Sequence, residues 1–286
     1  MKKRVLILLA VLGAALFFMN DKTSKKEAVP LSYDAKAAIV MNEAGKVLYE
    51  KNSKQALPIA SMSKLMTQYI ILEALANNDL SWDDKYEPSA VAMNQDRHAV
   101  KLGMDTNSTY TVRELFIAMT VISANDATIA LAEMVSGSEE AFVVEMNKRA
   151  KQLGLKNTHF VNATGLDADE TNQATARDVA AIARTVLNEH PEILEFTRMT
   201  DFTTDEGVKR WSTNLMLPGM PEAMPGLDGL KTGYTEIAES CFASTGIFNG
   251  ERIITVVIGV EADGKDTTTP RFDLTRELID SYVLNK

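Results

Sequence analysis

Short runs of apolar residues occur near both ends of the chain, each with the length of a single β-strand. Near the N-terminus, Ala37–Met41 and Val47–Glu50 flank a polar loop that contains a glycine, which is the arrangement of a β-hairpin. Near the C-terminus, Phe242–Ile247 and Ile253–Val260 flank an Asn-Gly dipeptide, which is typical of tight hairpin turns. The pattern therefore predicts antiparallel strands at both ends of the chain.

Between these strands, apolar residues recur at the spacing of one face of an α-helix. This spacing predicts helices over Ser61–Ala76, Val112–Ile122, Ala127–Val135, Glu139–Leu153 and Thr175–Leu187, and a last helix over Arg271–Leu284. Strands at both ends with helices between them indicate an α+β fold. In this fold both chain ends complete one antiparallel sheet, helices flank it, and a helical region is inserted in the middle.

The N-terminal segment has the order of charges and apolar residues that is typical of an export signal. Basic residues 2–4 precede an unbroken apolar run, Val5–Met19, which is shorter than the roughly 20 residues of a comfortable membrane span. The run ends in bulky residues, so an uncleaved anchor competes with a cleaved signal. We therefore expect residues 1–30 to form an export signal or an N-terminal membrane anchor plus a linker, and residues 31–286 to form the folded domain.

Composition narrows the classes of function that the chain can have. With 286 residues, of which 45% are hydrophobic and 24% charged, the chain is neither disordered nor fibrous. Its formal net charge of −9 argues against nucleic acid as a partner, because binding to phosphates requires a positive surface. Cys241 is the single cysteine, which excludes an intrachain disulfide. The sequence contains neither a metal-binding motif nor a glycine-rich phosphate loop, so we expect no cofactor.

The most reactive pattern is a serine followed three residues later by a lysine, Ser61 and Lys64, at the start of a strongly periodic helix. Residues three apart share a helix face, so the amine of Lys64 is within reach of the Ser61 hydroxyl. A lysine acts as a base for such a hydroxyl only when burial and neighbouring positive charge lower its pKa. Taken alone, the motif has an alternative interpretation, an N-capping serine beside a solvated lysine.

Two further polar segments carry groups that suit the same chemistry. Ser123-Ala124-Asn125 lies where one predicted helix ends and the next begins, and its alternative interpretation is a helix cap. Gly229–Thr235 precedes the C-terminal strands and combines a cation at Lys231, a hydroxyl at Thr232 and a backbone that a substrate can approach closely. Its alternative interpretation is a turn with a surface lysine.

Taken in order, the three motifs resemble those of penicillin-recognising serine enzymes. Together with Ala163–Leu166 and Thr175–Asp178, they are similar to the low-molecular-mass penicillin-binding proteins, the D-alanyl-D-alanine carboxypeptidases and their endopeptidase relatives. The resemblance extends from about Leu31 to Leu284. It implies a β-lactamase/transpeptidase-like α+β fold, with a penicillin-binding serine peptidase domain over residues 31–286.

The resemblance implies three catalytic residues. Ser61 would attack the carbonyl of the terminal D-Ala-D-Ala peptide bond of a peptidoglycan stem peptide, and unprotonated Lys64 would take the proton of its hydroxyl. Ser123 would relay a proton to the leaving amine, and water would then hydrolyse the acyl-enzyme. β-Lactam antibiotics would trap the same serine, because their ring amide imitates the substrate bond.

The resemblance also implies the groups that bind the substrate. Asn125 would hydrogen-bond the substrate peptide. Lys231 would attract the terminal carboxylate and tune the base, while Thr232 would donate its hydroxyl to that carboxylate. Gly233 would let the substrate approach closely, and the backbone N–H of Tyr234, with that of the nucleophilic serine, would hold the oxyanion.

Three alternatives to a carboxypeptidase are open at this point. A class A β-lactamase would need a deacylating glutamate in Glu-x-x-Leu-Asn, whereas Asp167–Asn172 has an acidic cluster without that pattern. A D,D-endopeptidase would cut peptidoglycan crosslinks, and Asp96–Leu102 lacks the Gly-Ser-Ser that some carboxypeptidases show. A non-catalytic wall-binding protein would keep the fold without turnover. We expect the carboxypeptidase, exported to the extracytoplasmic face of the bacterial membrane, the periplasm or the cell wall.

Overall fold

The structure, a computed structural model, describes residues 31–204, 207–261 and 268–285. Its strands are β1 (Ala35–Asn42), β2 (Val47–Lys51), β3 (Leu57–Pro58), β4 (Lys85–Tyr86), β5 (Tyr110–Thr111), β6 (Gln173–Ala174), β7 (Asp201–Thr203), β8 (Lys209–Trp211), β9 (Leu227–Thr235), β10 (Glu239–Phe248) and β11 (Glu251–Val260). Its α-helices are α1 (Lys64–Ala76), α2 (Ala90–Met93), α3 (Val112–Val121), α4 (Asn125–Ser136), α5 (Glu139–Gln152), α6 (Ala176–Glu189), α7 (Ile193–Thr197) and α8 (Thr269–Ile279). A 3-10 turn over Ala60–Ser63 precedes α1, and a π-helical turn over Asp280–Leu284 follows α8.

Five strands form the central antiparallel sheet, in the order β2-β1-β11-β10-β9. The two strands near the N-terminus join the three near the C-terminus because β1 pairs with β11, where Ile39 lies opposite Val256. Both predicted hairpins, β1–β2 and β10–β11, are present. The prediction of an α+β fold with one sheet built from both chain ends is confirmed.

The two faces of the sheet are both apolar and are covered by different helices. Along β11, Ile254 and Val256 belong to the core shared with α6 and the helical region, whereas Ile253 and Val257 belong to a second core beneath α8. Phe272 of α8 is fully buried in this second core. Alternation of this kind is expected for a strand that is buried on both faces. The sheet is therefore held between two layers of helices.

Helix α1 lies at the centre of the helical region. It packs against α3, α4, α5 and α6, and ten of its 13 residues are buried. A helix that is buried on nearly all sides is a core helix and not an amphipathic surface helix. Its first residue, Lys64, is therefore carried into the interior of the protein.

The predicted export segment, residues 1–30, lies outside the described residues, and the choice between a cleaved signal and an anchor stays a prediction. Within residues 31–204, 207–261 and 268–285, no helix has both the length and the apolar character needed to cross a membrane.

The predicted helix over Ser61–Ala76 begins later than expected, because its first turn is a 3-10 turn and the α-helix starts at Lys64. Ala60, the first residue of this turn, has a φ of +46°, which no hydrophobic pattern reveals. In a 3-10 turn, side chains three residues apart are eclipsed. The 3-10 turn therefore places the side chains of Ser61 and Lys64 on the same side of the chain, close to each other.

Strand β9 is the largest element that the hydrophobic pattern does not predict. Its sequence contains two glycines and Lys231, which favour a turn when considered locally. The strand forms because it pairs with β10 along its length, with Lys231 opposite Ala243. This pairing places the Lys-Thr-Gly motif at the edge of the sheet, beside the 3-10 turn.

Candidate active site

Ser61 and Lys64 are in direct contact at the start of α1. The Nζ of Lys64 lies 3.0 Å from the Oγ of Ser61, which is hydrogen-bonding distance. Ser61 is partly exposed, whereas Lys64 has 0% of its surface accessible to solvent. The alternative of a capping serine beside a solvated lysine is therefore wrong.

The amine of Lys64 has three oxygen neighbours that fix its orientation. Besides Ser61 Oγ, it lies 2.8 Å from Asn125 Oδ1 and 2.5 Å from the carbonyl oxygen of Thr164. The amide oxygen and the carbonyl oxygen only accept hydrogen bonds. A neutral amine has two protons, so it can donate to these two acceptors while its lone pair faces the Ser61 hydroxyl. The geometry thus suits a base for Ser61.

The pKa of Lys64 is lowered well below its usual value. Burial is the largest cause, because a charged amine loses its hydration in the protein interior. The positive charge of Lys231 lowers the pKa further, and the negative charge of Glu139 opposes these effects. These conditions favour the neutral amine that a base requires.

Ser123 and Asn125 come from the turn between α3 and α4. Ser123 has a φ of +65°, and its buried Oγ makes no hydrogen bond within the described part of the chain. Asn125 is the first residue of α4, and its Nδ2 donates to the carbonyl of Val100 at 3.1 Å, which leaves Oδ1 directed at the lysine. Helix α4 has no side-chain cap, so the helix-cap interpretation of this motif is wrong.

Lys231 is the second buried lysine of the site. It lies on β9 with 1% of its surface exposed, so the alternative of a surface lysine on a turn is wrong. Burial, with the positive charge of Arg271, lowers its pKa to about 7. Its amine donates to the carbonyl of Thr232 at 3.0 Å. Near neutral pH this side chain is therefore poised between its charged and neutral forms.

Gly233 brings β9 against the turn that carries Ser61. A Cβ added to Gly233 would lie 3.0 Å from the carbonyl oxygen of Ile59 and 3.2 Å from the backbone nitrogen of Ser61, so a side chain would push the strand away. The Gly233 carbonyl accepts a hydrogen bond of 3.0 Å from Arg271. The following residue, Tyr234, is 47% exposed, in contrast to the buried residues that precede it on β9.

Several residues near the motifs were not singled out from the sequence. Thr213, which follows β8, accepts a hydrogen bond of 2.7 Å from the hydroxyl of Thr232. Thr164 contributes a backbone carbonyl, and Arg271 reaches β9 from α8. No local pattern marks Thr213 or Arg271, and the Ala163–Leu166 segment does not indicate that the Thr164 carbonyl faces the lysine, because each residue acts through a contact between segments distant in sequence.

The arrangement defines a class of active site. A partly exposed serine hydroxyl contacts a buried amine of lowered pKa, the amide oxygen of Asn125 contacts the same amine, and a second buried lysine lies on the adjacent strand. Such a set of groups suits transfer of an acyl group to serine. The class is therefore that of serine enzymes that use lysine as the base.

Comparison with known proteins narrows this class to one family. Residues 22–262 match the Peptidase_S11 family, described as D-alanyl-D-alanine carboxypeptidase. The chain belongs to this family. The D-alanyl-D-alanine carboxypeptidase DacF of Bacillus subtilis is 38% identical over 248 residues, which cover 83% of this chain and 60% of DacF. The chain thus spans less than two-thirds of the length of this relative.

Solved structures of penicillin-binding proteins share the fold. PBP3 of Streptococcus pneumoniae, described as a peptidoglycan synthesis regulatory factor, has a TM-score of 0.83 at 36% identity, over 88% of this chain and 72% of that one. Penicillin-binding protein D2 of Listeria monocytogenes, solved with cefotaxime bound, has a TM-score of 0.77 at 40% identity, over 88% of this chain and 97% of that one. The predicted resemblance and the transpeptidase-like fold are confirmed.

Proposed function

We propose that the protein is a serine-type D-alanyl-D-alanine carboxypeptidase that acts on peptidoglycan stem peptides through an acyl-enzyme on Ser61 and is inhibited by β-lactams. The observation that carries the proposal is the 3.0 Å contact between Ser61 Oγ and the fully buried amine of Lys64. Membership of the carboxypeptidase family supports the reaction, and the cefotaxime-bound relative supports inhibition by β-lactams.

Acylation begins with the proton of the Ser61 hydroxyl. The neutral Lys64 amine takes this proton as Oγ attacks the carbonyl carbon of the terminal D-Ala-D-Ala bond. The carbonyl oxygen becomes an oxyanion, which the N–H groups of Ser61 and Tyr234 stabilise. A donor of this kind contributes about 3 kcal/mol to the transition state.

Collapse of the tetrahedral intermediate breaks the C–N bond and releases D-alanine. Ser123 relays a proton to the leaving nitrogen, for which its buried Oγ, without a protein partner in the described residues, is suited. The remaining peptide stays esterified to Ser61. Lys64 then activates a water molecule that hydrolyses the ester and regenerates the serine.

Substrate recognition depends on the two sides of the cleft. The side chain of Asn125 hydrogen-bonds the peptide on the helical side. On the strand side, charged Lys231 and the hydroxyl of Thr232 bind the terminal carboxylate. To donate to the carboxylate, the Thr232 hydroxyl turns away from Thr213 Oγ1, which lies 2.7 Å from it in the free protein. A free C-terminal carboxylate is therefore part of the recognised structure.

We expect a bell-shaped dependence of kcat/KM on pH. On the acid side, activity rises as Lys64 loses its proton. On the basic side, kcat/KM falls as the pH rises through about 7. In the enzyme without substrate, Lys231 then loses the positive charge that attracts the substrate carboxylate. A peptide ending in D-alaninamide should lack this basic limb.

The variant Arg271→Met tests the origin of that limb. Arg271 lowers the pKa of Lys231, so its removal should move the basic limb to higher pH. Measurement of kcat/KM from pH 5 to 10 with both peptides provides the comparison. A basic limb of equal size and position with the free acid and the amide would contradict the role of Lys231.

A class A-like β-lactamase is disfavoured by the segment that lies opposite Lys64. There Ser61 Oγ faces the backbone carbonyl of Thr164, at 3.4 Å, and not a carboxylate. In the acidic cluster that follows, Asp169 and Glu170 are exposed to solvent. Asn172 is buried, and its side-chain oxygen accepts a hydrogen bond from the backbone nitrogen of Val161. A group that would rapidly deacylate a penicilloyl ester is therefore not found at this position.

The proposed substrate implies a location outside the cytoplasm. Peptidoglycan stem peptides are part of the cell wall, so the enzyme would work at the outer face of the membrane, in the periplasm or in the wall. The basic and apolar N-terminal segment, residues 2–19, supports export and provides a means of membrane attachment.

Product analysis tests the proposal. The protein is incubated with an uncrosslinked pentapeptide and with a crosslinked muropeptide, and products are identified by mass. We expect loss of one alanine from the pentapeptide, whereas cleavage of the crosslinked substrate alone would favour the endopeptidase.

Covalent labelling tests whether the protein is an enzyme at all, and for this wild type and Ser61→Ala are treated with a fluorescent penicillin. Covalent label should be present in wild type and absent from Ser61→Ala, and label-free wild-type protein would favour a non-catalytic scaffold.

A further inference from the structure

We propose that Glu139 is a positioning residue for the base Lys64. Its carboxylate holds the backbone segment whose Thr164 carbonyl orients the lysine amine. This inference rests on the proposed function, because it concerns the same acylation step. Nothing in the three motifs points to Glu139, which lies on α5.

Glu139 is in direct contact with the backbone at Ala163. Oε1 of Glu139 accepts a hydrogen bond of 2.9 Å from the backbone nitrogen of Ala163. The carbonyl of the same residue accepts a hydrogen bond of 2.9 Å from the hydroxyl of Thr67, one turn along α1 from Lys64. Ala163 is therefore anchored on both its backbone groups, by α5 and by α1.

The anchor at Ala163 holds the next carbonyl, that of Thr164, beside the reacting groups. The Thr164 carbonyl lies 2.5 Å from Lys64 Nζ and 3.4 Å from Ser61 Oγ, so it borders both reacting groups. The following amide, that of Gly165, donates to Asn162 Oδ1 at 2.7 Å. With the chain held on both sides, the carbonyl has one orientation, and one proton of the amine has a fixed direction.

Glu139 also acts on Lys64 through its charge. Glu139 is partly buried at the first turn of α5, where the helix dipole favours a carboxylate. Around Lys64, the charged groups are Lys231 from β9 and Glu139 from α5, and they act in opposite directions on the pKa of the amine. Burial raises the pKa of Glu139, and the hydrogen bond from the Ala163 amide opposes this effect. The negative charges of Glu140 and Glu133 raise the pKa of Glu139 further, and the charge of Lys64 lowers it. Glu139 therefore limits how far the pKa of the base falls.

The two contributions can be separated with two substitutions. Glu139→Gln keeps an oxygen that accepts from the Ala163 amide but removes the charge, whereas Glu139→Ala removes both. The matched controls are Glu140→Gln and Glu140→Ala, since Glu140 is the adjacent residue of the same turn and is exposed. The measurements are the rate of acylation by a fluorescent penicillin from pH 5 to 9 and the thermal unfolding temperature.

We expect Glu139→Ala to acylate about 10 to 100 times more slowly than wild type on the pH plateau, because misplacement of a catalytic group by about 1 Å has an effect of this size. Glu139→Gln should keep its plateau rate within about threefold. Its acid limb should shift to lower pH, because loss of the negative charge favours the neutral amine. The Glu140 variants should behave as wild type.

Wild-type acylation by Glu139→Ala, or an equal loss in Glu140→Ala, would overturn the inference. So would an unchanged acid limb in Glu139→Gln, which also decides the matter if the alanine variant fails to fold. Failure of the proposed function looks different, because wild-type protein itself would then show no Ser61-dependent label.

Discussion

The substitution Lys64→Arg is expected to slow the acylation of Ser61 by about 1,000-fold or more, although arginine also carries nitrogen atoms at the end of a long side chain. The guanidinium of arginine stays protonated in proteins, so it cannot take the proton of the serine hydroxyl. Lys64→Met should show a loss of similar size, because the apolar side chain also lacks a basic nitrogen. Both effects follow from the lowered pKa of the buried amine.

The measurement is the second-order rate of labelling by a fluorescent penicillin, with thermal unfolding as a check on folding. Lys148→Arg serves as the control, because Lys148 lies on α5 with 58% of its side chain exposed. If Lys64→Arg kept substantial activity while Lys64→Met lost it, the lysine would act by its charge and not as a base, and the mechanism would be wrong.

Gly165→Ala is expected to damage both stability and catalysis. A Cβ at this position would lie 2.0 Å from the carbonyl oxygen of Ala60, and the φ of +81° is itself unfavourable for alanine. The free energy of unfolding should fall by about 3 kcal/mol from the combined clash and backbone strain. Because the clash separates the Thr164 carbonyl from the turn that carries Ser61, acylation should slow by about 100-fold.

Gly154→Ala is the matched control for this prediction. Gly154 also has a positive φ, +73°, but an added Cβ would meet nothing within 4 Å. It should lower the free energy of unfolding by about 1 kcal/mol and leave acylation unchanged. Chemical denaturation and penicillin labelling of both variants test the comparison. Acylation of Gly165→Ala at the wild-type rate would show that close contact of the two segments is not required.

The sequence predicts most of the fold because the main elements have regular hydrophobic spacing. The hairpins β1–β2 and β10–β11 and the longer helices were predictable from periods of two and 3.6 residues. Strand β9 and the short helices α2 and α7 were not. Strand β9 owes its conformation to pairing with β10. Helices α2 and α7 are too short to show a helical period in the apolar residues.

For the candidate site, the motifs identify which side chains to consider but not their environment. Whether Lys64 is solvated or buried depends on how α1 packs among four other helices, which no local pattern records. Thr213 and Glu139 escape notice for a related reason, since each meets the site through one tertiary hydrogen bond. Residues that act on the motifs from distant segments require coordinates.

Because α1 is buried, the packing of the core around it also sets the pKa of Lys64. Water is excluded around the start of this helix, which lowers the pKa of the Lys64 amine. The amine is therefore available in the neutral form that a base requires. A substitution elsewhere on α1 that admitted solvent would raise the pKa of the amine without touching the substrate. Selection for activity therefore acts on apolar side chains that never contact the substrate, and the interior around α1 should tolerate fewer mutations than stability alone would require.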